Sequence, residues 1–350
     1  MHSTMSLLRA LVGTLRSARH APRLAAGLVP DDDVLLDAPD GRLAPALVAA
    51  ALGDQEPAAK LLATTRDAGE WEDRDRYVIR LAAFAQHRGD WLSRWLSDAP
   101  GDPDALLVTA QLSVRRAWES PARAERLREL APLVQDLARE APHDPVPWRL
   151  ALDHARGAHA GPAVFESLWE QAVRRSPHHY GCHVAALKYL SAQWYGSHRA
   201  AFDFAEQAAD DAAPDSLVRA LPVRAAHDGL RMPPGPEGSV PAGRVDRAVV
   251  RALALSASFP PGDPWPAGVR NLLAHVLVER EHWAEAWEEF GRIGPYATSF
   301  PWSAARDSAP EDPLLRFLAA RDRVRGELAR RTPLRGPGPG TAGRGGPGGH

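Results

Sequence analysis

An all-α fold of stacked helical hairpins is the class this sequence predicts, and three observations carry the prediction. Pro-x-Asp-Pro occurs four times, in "APGDPDALL", "APHDPVPWR", "PPGDPWPAG" and "APEDPLLRF". Apolar residues follow each copy at helical spacing, and runs of β-branched residues with period two are absent. Asp before Pro is a helix-start signal, because the carboxylate caps free N–H groups while proline has a preset φ and no N–H to lose.

The elements follow in chain order. Residues 1–40 form a lead-in, opening with a basic amphipathic stretch in which Leu7, Leu8, Leu11, Val12 and Leu15 share a face and Arg9, Arg16, Arg19 and Arg23 add charge. It lacks the continuous apolar core of a secretory signal. The stretch is expected to pack on the first helices, with surface contact between residues 5–24 and a membrane as the lesser reading. "PDDDVLLDAPDG" reads as turn and cap chemistry, since it lacks the ligand spacing of a calcium loop.

Residues 41–230 form a first block of helical hairpins. "GEWEDRDRY" places Glu70, Glu72 and Asp73 in a first turn, where acids complement the helix dipole. Asp102-Pro103 starts a helix carrying Leu107, Ala110, Val114 and Trp118; Asp144-Pro145 starts one carrying Trp148, Ala151, Leu152 and Ala155. Ser120-Pro121, Gly161-Pro162 and Gly196-Ser197 mark the second helices. A degenerate start, "SPHHYGCHV", puts His179 where the other copies have Asp and Tyr180 where they have Pro. Leading prolines at 100, 142, 177, 261 and 310 are separated by 42, 35, 84 and 49 residues. Units of about 35–45 residues suit two-helix repeats, and the long gap accommodates one unit with a decayed signal.

"RMPPGPEGSVPAG", residues 231–243, is a Pro/Gly linker before a second block at residues 244–331, in which Asp263-Pro264 and Asp312-Pro313 are the expected helix starts. Residues 332–350 are a Gly/Pro tail whose composition predicts disorder. Its single Arg344-Gly-Gly is too little to read as an RNA-binding tail.

"HRGDWLSRWLSDAPGDPDALL" and "EHWAEAWEEFGRI" are similar to the tetratricopeptide-repeat pattern of Gly-Asp-aromatic, a helix with Ala and an aromatic, then Pro. The resemblance spans roughly residues 40–330 and implies an irregular tetratricopeptide-like α-solenoid. "YLSAQWYGSHRAAFDFAEQA" resembles the Trp-Gly-Gly-Ser helix junction of a group of uncharacterised bacterial helical-repeat proteins, with Tyr195 replacing the first Gly. Trp91, Trp194, Gly196, Ser197 and Trp283 are the expected hairpin-junction anchors.

Composition bounds the function. A net charge of −2 gives no bulk reason to expect nucleic acid as partner. Lys60 and Lys188 are the only lysines, and the arginine-rich, isoleucine-poor usage resembles that of a GC-rich bacterial genome, so arginine alone does not signal phosphate recognition. One cysteine, Cys182, excludes an internal disulfide and fits a cytoplasmic location. No apolar run reaches the roughly 18–20 residues of a membrane-spanning helix.

Signatures of phosphate-binding loops, nucleophile elbows, zinc proteases and dinucleotide sites are missing, so no catalytic residue and no cofactor are expected. The one cluster that permits metal chemistry is His178, His179, Cys182 and His183: His179 and His183 stand at i and i+4, and Cys182 offers a thiolate. Successive residues diverge by about 100° on a helix, so Cys182 and His183 do not readily share one ion. Eleven tryptophans, mostly at hairpin junctions, read first as interhelical core; "PYATSFPW" is the segment expected to present aromatics to solvent. The reading is a non-catalytic helical-repeat scaffold for a protein or peptide, with a helical enzyme or metal protein centred on His178–His183 as the alternative.

Overall fold

The computed structural model describes residues 28–231, 240–303 and 312–331. The basic stretch at 5–24, the tail at 332–350 and most of the linker lie outside the described residues.

The first block contains α1 (Leu43–Ala51), α2 (Glu56–Ala68), α3 (Trp71–Ala85), α4 (Asp90–Asp98), α5 (Pro103–Glu119), α6 (Arg123–Glu129), α7 (Ala131–Glu140), α8 (Val146–Gly157), α9 (Pro162–Arg175), α10 (Tyr180–Tyr189), α11 (His198–Asp211) and α12 (Leu221–Arg231). The second contains α13 (Ala242–Ala257), α14 (Ala267–Glu279), α15 (Trp283–Ile293), α16 (Ser299–Trp302) and α17 (Pro313–Arg331). The described residues are all-α apart from two two-residue strands, β1 (Leu35–Leu36) and β2 (Tyr296–Ala297), which pair in parallel.

The start signals act as their chemistry predicts at three of the four Asp-Pro steps. Asp102 Oδ1 accepts from the N–H groups of Asp104 and Ala105 at 2.9 and 3.0 Å, Asp144 from Val146 at 2.8 Å, and Asp312 from Leu314 at 2.9 Å. Pro103 and Pro313 occupy first helical positions; Pro145 immediately precedes α8. Asp263-Pro264 departs from the pattern: Asp263 caps a turn through Trp265 N, and the helix begins only at Ala267. Pro266 supplies the physical reason, because a second proline two residues on disfavours the helical region for Trp265. The degenerate start functions: Nδ1 of His179 accepts from Cys182 N at 3.2 Å, with Tyr180 first in α10.

Among the second helices, Gly161 and Ser197 precede α9 and α11 as expected. Ser120-Pro121 does not open one long helix; Ser120 closes α5, and the segment divides at Leu130 into α6 and α7, where Pro132 enters the first turn of α7 and cannot donate back into α6.

Helices pack mainly on their chain neighbours, α1 on α2, α8 on α9, α11 on α12 and α14 on α15. Three longer-range contacts shape the molecule. The N-terminal half of α3 touches α8 and α10, Val34 enters the core of the second block beside Val269 and Phe317, and β1 lies against β2 and α17. The backbone zips this junction: Leu35 N donates to Pro295 O at 2.8 Å and Asp37 N to Ala297 O at 2.7 Å. Arg321, 2% exposed, donates to Val29 O at 2.9 Å and pairs with Asp31. The first described residues are thereby seated on the last helices.

Candidate functional site

Because β1 returns to β2, six separated stretches of chain converge on one cleft of about 430 Å3. Residues 37–43 form one wall, and α3 contributes Glu72, Asp75, Arg76, Ile79 and Arg80. Tyr180, Gly181, Val184 and Lys188 project from one face of α10 at helical spacing. Leu217, Arg224, residues 264–269 and β2 with Thr298 complete the lining.

Most charges in the cleft are already matched within the chain. Arg76 pairs with Asp40 at 2.6 Å and Asp73 at 2.7 Å and lies over the Trp265 ring at 5.2 Å. Arg80 holds Asp37 through its backbone oxygen at 2.5 Å and its carboxylate at 3.5 Å. Asp75 binds the buried Arg149 at 2.6 Å. Glu72 accepts from Tyr180 N at 2.7 Å, tying α3 to α10, and burial pushes its carboxyl above the usual range. The Tyr77 hydroxyl donates to Asp40 at 2.9 Å; burial, with Asp73 and Asp40 beside it, raises it to about 12.

Gly181 is fixed by this crowding, since a Cβ there would lie 2.3 Å from Asp75 Oδ2. Ile79, Val184, Leu217, Val269, Trp265 and Tyr296 give the cleft its apolar surface. Lys188 and Arg224 stand at its rear and also line a second chamber behind it.

The His178–His183 cluster lies next to the cleft, with its side chains committed elsewhere. His179 is fully buried as a cap, so its Nδ1 is an acceptor and its Nε2 carries the hydrogen that reaches Trp71 O at 3.3 Å. His183 Nδ1 bonds His179 O at 3.0 Å, and burial pulls that imidazole down to about 4. The buried Cys182 points to Pro145 O at 4.0 Å, and burial raises its thiol. His179, His183 and Cys182 are thus not gathered on a common point, and among the described residues no group of three His, Cys, Asp or Glu side chains is placed to hold a metal ion.

The junction anchors divide into two kinds. Trp91 and Trp283 are core residues, Trp283 lying beneath Arg323 and Arg331. Trp194 is half-buried between the Trp118 and His159 rings, with the guanidinium groups of Arg123 and Arg156 above it at 5.4 and 5.1 Å. Gly196 passes so close to Leu190 that a Cβ would lie 2.1 Å from its carbonyl oxygen, and Ser197 caps α11 through Ala200 N at 3.1 Å. The segment 295–302 is corrected in part: Trp302 is buried, its Nε1 donating to Asn271 at 2.9 Å, and Phe300 alone among its aromatics is exposed. The apolar face of α14 needs a cover, and Trp302 supplies it.

Sequence reasoning missed the convergence of Glu72, Arg76, Tyr180, Trp265 and Tyr296. One signal was available for Lys188, a lysine in a chain that otherwise uses arginine almost throughout. No protein-family model matches the chain, and no curated protein or solved structure matches it either.

Proposed function

We propose that this chain is a non-catalytic, tetratricopeptide-like scaffold that holds a peptide segment of a partner protein in the central cleft, in the cytoplasm of a bacterial cell. One observation carries the reading: the cleft joins apolar walls to charges that are already paired within the chain. Such a surface offers burial to apolar side chains at its floor and orienting hydrogen bonds at its rim, as peptide sites do. A volume of about 430 Å3 suits two or three side chains of a bound segment. Helical hairpins packed on their chain neighbours support the repeat resemblance.

Selection from a displayed peptide library on the immobilised protein tests this. Enriched sequences are expected to bind wild type and to lose about tenfold or more in affinity to Trp265→Ala or Ile79→Glu, since an aromatic anchor in a cleft dominates binding. A library that yields no sequence above background, or peptides indifferent to both substitutions, overturns the proposal.

A further inference from the structure

Behind the central cleft lies a chamber of about 700 Å3 walled by α8, the C-terminal end of α10, the 191–194 junction, the start of α11 with His198 and Ala201, α12 and α16. Its lining carries four cationic side chains, Arg156, Lys188, Arg224 and Arg231, against one carboxylate, Asp228. In a chain of net charge −2 this is a local concentration of positive charge. Arg156 is spoken for, paired with Asp153 at 3.0 Å and lying over Trp194. Asp228 is likewise engaged, its Oδ1 3.1 Å from Nδ1 of the buried His227.

The other three cations make no close ion pair among the described residues. Lys188 makes no side-chain hydrogen bond or close ion pair among the described residues; Asp153, which pairs with Arg149 and Arg156, attracts it from farther away. Arg224 stacks on Phe300 at 4.3 Å and shares a hydrogen bond with the Tyr180 side chain, while its buried Nε has no partner among the described residues. Arg231 sits exposed at the end of α12, with no ion pair among the described residues. Nε2 of His227, 2% exposed, is a further unpartnered polar atom at the wall.

Crowding shows in Lys188 itself. Burial lowers its ammonium to about 8, and Arg224 and Arg156 push in the same direction against Asp153 and Asp228. A buried ammonium beside two guanidinium groups, with Asp153 and Asp228 acting on it only from beyond ion-pair distance, is costly and is relieved by a bound anion.

We propose that this chamber binds a small phosphate ester, with the phosphate between Lys188, Arg224 and Arg231 and a flat apolar body toward Phe300 and Trp194. Charge selects the class: a dianion matches three cations that lack a close ion pair, whereas a single carboxylate leaves an excess. A point charge beside two planar forks is also a recurrent phosphate-binding combination. This site goes beyond the peptide reading, needing only the rear chamber and not occupation of the cleft.

The two lysines make the test selective. Trace acetylation with acetic anhydride at pH 8, followed by peptide mass mapping, reads the reactivity of Lys188 against the exposed Lys60 in the same molecule. Phenyl phosphate is expected to slow acetylation of Lys188 about tenfold at saturation and to leave Lys60 unchanged, because a bound anion keeps the amine protonated and covered. Inorganic phosphate should protect at higher concentration, and benzoate at matched ionic strength should protect weakly. Arg231→Gln, an exposed substitution that leaves the core intact, is expected to weaken phenyl phosphate protection several-fold; Arg224→Gln should abolish it. Protection equal with benzoate would overturn the phosphate assignment. Absence of protection by phenyl phosphate in the wild-type protein would overturn the site, whatever the fate of the peptide experiment.

Discussion

His275 on α14 shows what a single side chain does to the pH response of this fold. Its Nδ1 is buried without a partner, and the ring is wedged against His227 and Trp302, with centroids 5.1 Å from each. Burial, aided by His227, Arg231 and Arg316, pulls the imidazole from 6.5 to about 3. A base depressed in the folded state stays neutral there while the unfolded chain takes up a proton. Stability is therefore intact above pH 6.5 and lost as pH falls toward 3, by about 1 kcal/mol per pH unit for each such group. His183, lowered to about 4, acts in the same window. Urea unfolding of His275→Phe should show a shallower loss between pH 6.5 and 5 than wild type, and taking the difference cancels the opposing buried carboxylates Glu72 and Glu289. Parallel curves for the two proteins would exclude this role for His275.

At the scale of elements, Arg74 is the pin of the first block. It is 2% exposed, and its guanidinium binds Asp104 at 2.6 Å, Asp144 at 2.7 Å and Leu62 O at 2.9 Å, joining α3 to the starts of α5 and α8 and to α2. Asp144 thus has two tasks, capping a turn and closing an ion pair. Removing one member of a buried network strands the others, so Arg74→Met is expected to cost about 3–5 kcal/mol. A loss under 1 kcal/mol in chemical denaturation would mean that water reaches the site. The sequence announced the capping half of this arrangement, because Asp-Pro followed by helical periodicity is local chemistry. It was silent on the other half, since Arg74 reaches a partner 70 residues away. The displaced start at Ala267 and the break at Leu130 have local causes instead, prolines within a few residues that outweigh the pattern around them. His179 is the converse case: alignment with the capping aspartates identified its role, and the structure places its Nδ1 on Cys182 N. Tyr180 gave no comparable sign and Lys188 only its rarity as a lysine, because their neighbours come from α3, α8 and α12.

For the whole molecule, the decisive feature is the return of the lead-in to the second block. Val34 is 4% exposed within the core that holds Val269, Phe290 and Phe317, and Ser299 donates to Asp37 across 262 positions of sequence. No local signal encodes such a pairing. It also forms the central cleft, because Asp37–Leu43 and Pro264–Val269 face each other only when β1 lies on β2. Val34→Asp separates this junction from the rest of the fold. An unpaired carboxylate in that core is expected to cost about 3 kcal/mol or more, and the cost falls on the second block. Hydrogen exchange should then show faster exchange in α13 to α17 and at Leu35–Asp37, while α5 to α8, whose core contains no residue of the lead-in, keep their protection. Peptide binding in the cleft should weaken in parallel, while phenyl phosphate protection of Lys188, which also depends on α8 and α10, falls only as far as α16 and α12, whose Val223 shares this core, loosen. Uniform acceleration along the chain would instead mean that the two blocks unfold as one cooperative unit, with the strand pair closing the cleft but not dividing its stability.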